Sequence, residues 1–207
     1  MKKFNSGEVF GFGGGFVSIC EKIFDVLMLG IMCVVCCIPI VTAGSSITAL
    51  YYSVVKSVKK NQGYPSKEFI RSFKQNLKPG IVLELIFAAA IFILQLNVGI
   101  IGEKTDGLVG LFFIVLYTFL TVFAVLMMCY AFPSLSRFDM SVGWILKLSA
   151  YMVVRYLGTS VCLLMTLFCF GVLVYKIPVL IFVVWGPLFF VISEFMERIL
   201  EKHMPAE

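Results

Sequence analysis

Six apolar blocks, taken in order with the charges that punctuate them, constrain this chain more than any motif does. They run over residues 23–41, 44–58, 81–101, 108–133, 156–175 and 179–195, with Gly, Pro and charge clusters marking their ends. If each crosses a membrane, only two of the 17 Lys and Arg residues, Lys104 and Lys176, fall on one side. The other fifteen fall on the opposite side, the bias that retains a loop in the cytoplasm. The fold class expected is all-α, a polytopic transmembrane helical bundle. The chain is expected to form one integral membrane domain over residues 1–207, in the cell membrane, with both termini cytoplasmic.

The second block is the weak point of that count. It is short for a span at about 1.5 Å per residue, and it contains Ser45, Ser46, Thr48, Tyr51 and Tyr52. If it turns back instead of crossing, it is a re-entrant segment, and Lys2, Lys3 and Lys22 face outward while the richest basic loop stays inside. The charge rule therefore favours six segments over five. Ala43, Gly44, Ser45, Ser46 and Ala49 crowd its start, so we expect this helix to lie inside the bundle, packed on the first across the Pro39 to Gly44 turn. Pro187, in the last block, implies a kink there.

Composition matters for what it excludes. With 60% apolar residues, 21 Phe and a mean hydropathy of +1.01, the solvent of this chain is lipid. The net charge of +5 sits in short loops beside apolar blocks, where it orients helices and meets anionic head groups, so nucleic-acid binding is not expected. A cleaved leader ending near Ala43 is a poor fit, because the apolar run is too long and more membrane protein follows; we read an uncleaved anchor. Residues 1–22, with Phe10-Gly11-Phe12-Gly13-Gly14-Gly15-Phe16, form an interfacial arm. They lack the Gly-Lys-Ser/Thr of a phosphate loop.

Seven cysteines, an odd number with none in an exterior loop, do not make a disulfide framework. Cys33, Cys36 and Cys37 share one helical face. Burial in lipid opposes the thiolate that metal or redox chemistry needs, and the single His203 lies in the tail, so these read as small packing residues and no metal or cofactor is expected. No nucleophile with a base, and no aspartate pair, falls within the spans, so no enzymatic activity is expected.

Ionisable groups near the membrane are weighed next. Asp25, Glu84 and Glu194 stand close to cytoplasmic helix ends, where pairing with Lys22, Lys78 or Arg198 is the ordinary role. Glu84, Gln95, Asn97 and Glu194 form the candidate polar path if the chain conducts a solute. Two cytoplasmic loops, 59–79 and 134–155, carry the exposed chemistry. In the first, Phe69, Phe73 and Leu77 recur at helical spacing among Lys67, Arg71, Lys74 and Lys78, an amphipathic helix for the inner leaflet. Residues 140–151, with Trp144 and Lys147, suggest a second interfacial helix. The candidate partner-facing surface is Phe69, Arg71, Phe73, Lys74, Asn76, Arg137 and Lys147.

The run Cys36-Cys37-Ile38-Pro39-Ile40-Val41-Thr42-Ala43-Gly44-Ser45-Ser46-Ile47-Thr48-Ala49-Leu50-Tyr51-Tyr52 resembles a signature of the YesL-like family of bacterial integral membrane proteins. The resemblance extends to Phe69-Ile70-Arg71-Ser72-Phe73-Lys74-Gln75-Asn76, to Phe132-Pro133 through Arg137-Phe138, and to Phe4-Asn5 and Asp25. Gly30 departs from it, at a position where the family leads us to expect Asn. The family has no known biochemical function and is often encoded beside carbohydrate-uptake systems. The resemblance therefore implies a non-catalytic accessory of a carbohydrate importer, contacting its permease or ATPase subunit. The alternative is a small-solute channel or transporter in its own right.

Overall fold

The computed structural model describes residues 13–104, 107–138, 140–177, 180 and 183–200. Its helices are α1 Gly13–Cys36, α2 Ala43–Ser53, α3 Pro65–Gln75, α4 Leu77–Lys104, α5 Leu108–Arg137, α6 Val142–Arg155, α7 Leu157–Lys176 and α8 Trp185–Leu200. A 3-10 turn, Ile40–Thr42, leads into α2, and a π-helical stretch, Val54–Lys59, continues it. No strand occurs among the described residues.

Three helices among the described residues are long and apolar enough to cross a membrane: Leu77–Gly102 within α4, Leu108–Arg137 and Leu157–Lys176. Their outward side chains are large and apolar, Phe92, Phe112, Phe119 and Phe168 among them, and each is more than 60% exposed. A helix apolar all round is stable only where its surroundings are apolar too. Membrane insertion is thus written into α4, α5 and α7. Of the six segments the sequence suggests, these three qualify on length and composition. The second reaches only about 25 Å over α2 and its π-helical extension, against a hydrocarbon layer of roughly 30 Å.

That short helix is the hub, as its small residues led us to expect. It packs against α1, α3, α4, α5 and α8, and Ser45, Ser46, Thr48, Ala49, Leu50, Tyr51 and Ser53 are all fully buried. Its hydroxyls tolerate burial because the backbone satisfies them: Ser46 donates to the Thr42 carbonyl at 2.9 Å, Thr48 to Gly44 at 2.8 Å and Ser53 to Ala49 at 2.8 Å. Ser45 instead donates across to the Asn76 and Leu77 carbonyls, at 3.2 and 3.1 Å, where α3 passes into α4. Gly44 and Gly80 let α2 and α4 approach there. A Cβ added to Gly80 would stand 2.5 Å from Ser45 Oγ and 3.0 Å from its Cα. At such a crossing bulk is not tolerated. Ala49→Phe should abolish the monodisperse folded species in detergent, read by fluorescence-detected size exclusion; a normal elution profile would remove α2 from the centre of the bundle.

Elsewhere the structure corrects the sequence reading. Within the expected arm, Gly13 onward is already α1, and residues 1–12 lie outside the described residues. α1 ends at Cys36, before the expected Val41, because Pro39 cannot continue the helix; Thr42 Oγ1 donates to the Cys36 and Pro39 carbonyls at 2.7 and 2.8 Å and closes the turn. Pro187 is the third residue of α8, so it interrupts no hydrogen-bond ladder and needs no kink. Gly30 faces Gly186 where α1 crosses α8. A Cβ on Gly30 would lie 2.9 Å from the Gly186 nitrogen, which explains why this chain has no room for the Asn expected there.

Candidate functional site at the basic end of the bundle

α3 starts at Pro65, whose fixed φ suits a first helical position, after a turn in which Asn61 and Gly63 adopt positive φ of 51° and 80°. Its apolar face does not lie on lipid. Phe69 is fully buried in the main core and stacks on Phe73, with ring centroids 6.4 Å apart. The spacing of Phe69 and Phe73 does define a face, and α2 covers it. Both ends of α3 are clamped: Lys56 Nζ bonds Glu68 Oε2 at 2.8 Å near the start, and Ser45 bonds the Asn76 carbonyl at the end. Asn76 Nδ2 donates back to the Ser72 carbonyl at 3.0 Å and to Ser72 Oγ at 3.2 Å, capping the helix. The π-helical stretch supports this arrangement, carrying Lys56 toward α3 and Lys59 toward α8, where Lys59 pairs with Glu194 at 2.8 Å.

What remains outward on α3 is a rigid strip of Tyr64, Lys67, Ile70, Arg71 and Lys74, all exposed, with the Lys67 ammonium 5.0 Å from the Tyr64 ring centroid. Lys78 of α4 extends it. On α6, Lys147 is exposed and sits 5.2 Å from the Trp144 ring centroid. Thus Arg71, Lys74 and Lys147 of the expected surface face outward. Phe69 is buried, Phe73 and Asn76 are half-buried, and Arg137 is committed elsewhere.

Arg137 belongs to a three-helix lock. Its Nη2 lies 2.7 Å from Glu197 Oε2, and Tyr51 Oη donates to Glu197 Oε1 at 2.8 Å. α5, α8 and α2 thereby meet at one carboxylate whose side chain is 10% exposed. Tyr51 stands out in the sequence only as a polar residue of the second block and Glu197 not at all, and the 146 residues between them hide the pairing. A helical acid three residues after Glu194, in a chain with a basic residue closing α5, was the available signal.

Of the four residues of the candidate polar path, Glu84, Gln95 and Asn97 lie along α4 and Glu194 lies on α8, each with its own surroundings. Gln95 Nε2 donates to Thr121 of α5 at 3.3 Å, and Asn97 Nδ2 to the Ile93 carbonyl of its own helix at 2.7 Å. Glu194 is exposed and pairs with Lys59, with Arg198 at 3.7 Å. Glu84 is half-buried beside Gly44, and its Oε2 is buried without a hydrogen-bond partner among the described residues. No hydrogen bond or ion pair joins two of the four there. Asp25 and Glu84 make none of the expected ion pairs with Lys22 or Lys78 among the described residues. Cys33 and Cys37 meet with sulfurs 3.9 Å apart, as their shared face implies.

No curated protein and no solved structure matches this chain. The profile of a family described as "Protein of unknown function, DUF624" matches residues 23–98, from the middle of α1 through most of α4, the stretch that contains the hub and the clamped α3.

Proposed function

We propose that this chain is a non-catalytic accessory of a membrane importer, one that serves carbohydrate uptake, and that it engages the permease or ATPase subunit through the outward strip of α3. In this reading the chain is a six-segment protein of the bacterial cell membrane with cytoplasmic termini, α1, α2 and α8 supplying the segments beyond α4, α5 and α7. The observation that carries it is the double clamp on α3. A helix fixed at both ends to the bundle presents Tyr64, Ile70, Arg71 and Lys74 with little ordering left to do on binding. Surface lysines with no docking role would not need such a platform. The link to carbohydrate rests on the family resemblance.

The test is purification of tagged protein from native membranes in mild detergent, with co-purifying proteins quantified by mass spectrometry. A transporter subunit at near-equal amount is expected, and Arg71→Glu/Lys74→Glu should reduce it at least tenfold while the protein itself folds normally, because opposing charges at a rim suppress the encounter. A protein that emerges alone, or a partner retained by the double variant, would defeat the proposal.

A further inference from the structure

Between α2, the end of α3 and the inner end of α5 lies a cavity of about 270 Å³ lined by Tyr52, Ser72, Gln75, Asn76, Leu135 and Ser136. Its chemistry differs from that of the grooves among the helices, which are lined by residues such as Met128, Phe132, Leu167 and Phe189, or Val26, Val58 and Phe190. Five of its six lining side chains are polar, and none is charged.

The bonding inventory shows what the walls still offer. Asn76 spends its Nδ2 on Ser72, which leaves Oδ1 as an acceptor with no partner among the described residues. The Ser72 hydroxyl accepts from Asn76 and keeps its own proton to donate. Tyr52 Oη accepts from Lys56 Nζ at 3.1 Å and likewise retains its proton. Ser136 donates to the Pro133 carbonyl at 2.7 Å and keeps lone pairs free. Gln75 is exposed and brings an uncommitted amide, with one acceptor and two donors. Both donors and acceptors thus line one small volume, on walls held by the clamps on α3.

An anion would leave Asn76 Oδ1 and the Ser136 lone pairs facing an acceptor, and a cation would face the Tyr52 and Ser72 protons; either leaves polar groups unpaired. A hydroxyl group answers both kinds of site, because it donates and accepts. The volume falls just below the range for drug-sized ligands, about 300–1,000 Å³, and suits a smaller molecule. We propose that this cavity binds a small, uncharged, polyhydroxylated solute of monosaccharide size. The site needs no protein partner, so it stands whether or not the accessory role does.

Isothermal titration of the detergent-purified full chain with D-glucose and with myo-inositol tests it, with glucose 6-phosphate as the charged comparison. Saturable one-to-one binding of at least one neutral polyol is expected. Tyr52→Phe and Gln75→Ala should each weaken it by about 3- to 10-fold, the loss of one neutral hydrogen bond. Phe112→Ala, on the lipid-facing side of α5, should leave it unchanged. The Gln75 side chain makes no hydrogen bond among the described residues, so its variant keeps the test valid if Tyr52→Phe misfolds. Absence of saturable binding by both polyols, tighter binding of the phosphate ester, or parental affinity in Gln75→Ala would each overturn the proposal.

Discussion

Arg137→Ala should lose about 3–5 kcal/mol of stability, the largest effect expected of any single side-chain truncation in this chain. The substitution leaves Glu197 in a buried position with its charge uncompensated, and removal of one partner from a buried pair costs far more than the pair contributes. Glu197→Gln should also destabilise, leaving the Arg137 guanidinium without its counter-ion though the amide keeps an oxygen for Tyr51. The double variant Arg137→Met/Glu197→Leu should then be more stable than Arg137→Ala alone, because no charge is stranded. Thermal unfolding followed by fluorescence-detected size exclusion in one detergent reads all three. Equal melting of Arg137→Ala and the parent would show that the contact holds nothing together.

Gly186→Ala is expected to be as damaging by a different route. A Cβ at this position would run into the Val26 carbonyl oxygen, a backbone atom that cannot rotate away, so α1 and α8 would have to separate along their whole crossing. Overpacking of this kind costs about 1–3 kcal/mol where side chains can adjust, and more where they cannot. Gly171→Ala in α7 is the matched control: nothing lies within 4 Å of its added Cβ, and its melting should equal the parent's. Similar behaviour of the two alanine variants would mean that α1 and α8 do not touch at this point.

These two contacts mark what could and could not be read from the sequence. α4, α5 and α7 were legible because a long apolar run dictates its own helix and its own surroundings, whatever else the chain does. The burial of α2 was legible too, since Gly44, Ser45 and Ala49 have no reason to cluster except close approach. The face of α3 was visible in the spacing of Phe69 and Phe73, but periodicity defines a face and not what covers it, and here α2 covers it instead of lipid. The effect of Pro187 was not legible, because it depends on where α8 begins, two residues earlier, and no local signal marks that start. The Tyr51, Arg137 and Glu197 lock was invisible for a simpler reason: its members are joined by packing geometry across separations of 60 and 146 residues.

That last separation bears on how the molecule is made. The hub helix leaves the ribosome early, yet the carboxylate that Tyr51 bonds is synthesised 146 residues later, which at 5–20 residues per second is about 7–30 s. During that interval α3, α4, α5, α6 and α7 are made in turn around the short, hydroxyl-rich segment, while the carboxylate that Tyr51 bonds does not yet exist. The hydroxyls of Ser46, Thr48 and Ser53 bond carbonyls one turn earlier in the chain and need no later helix, whereas Ser45 must await the junction of α3 with α4 and Tyr51 the arrival of α8.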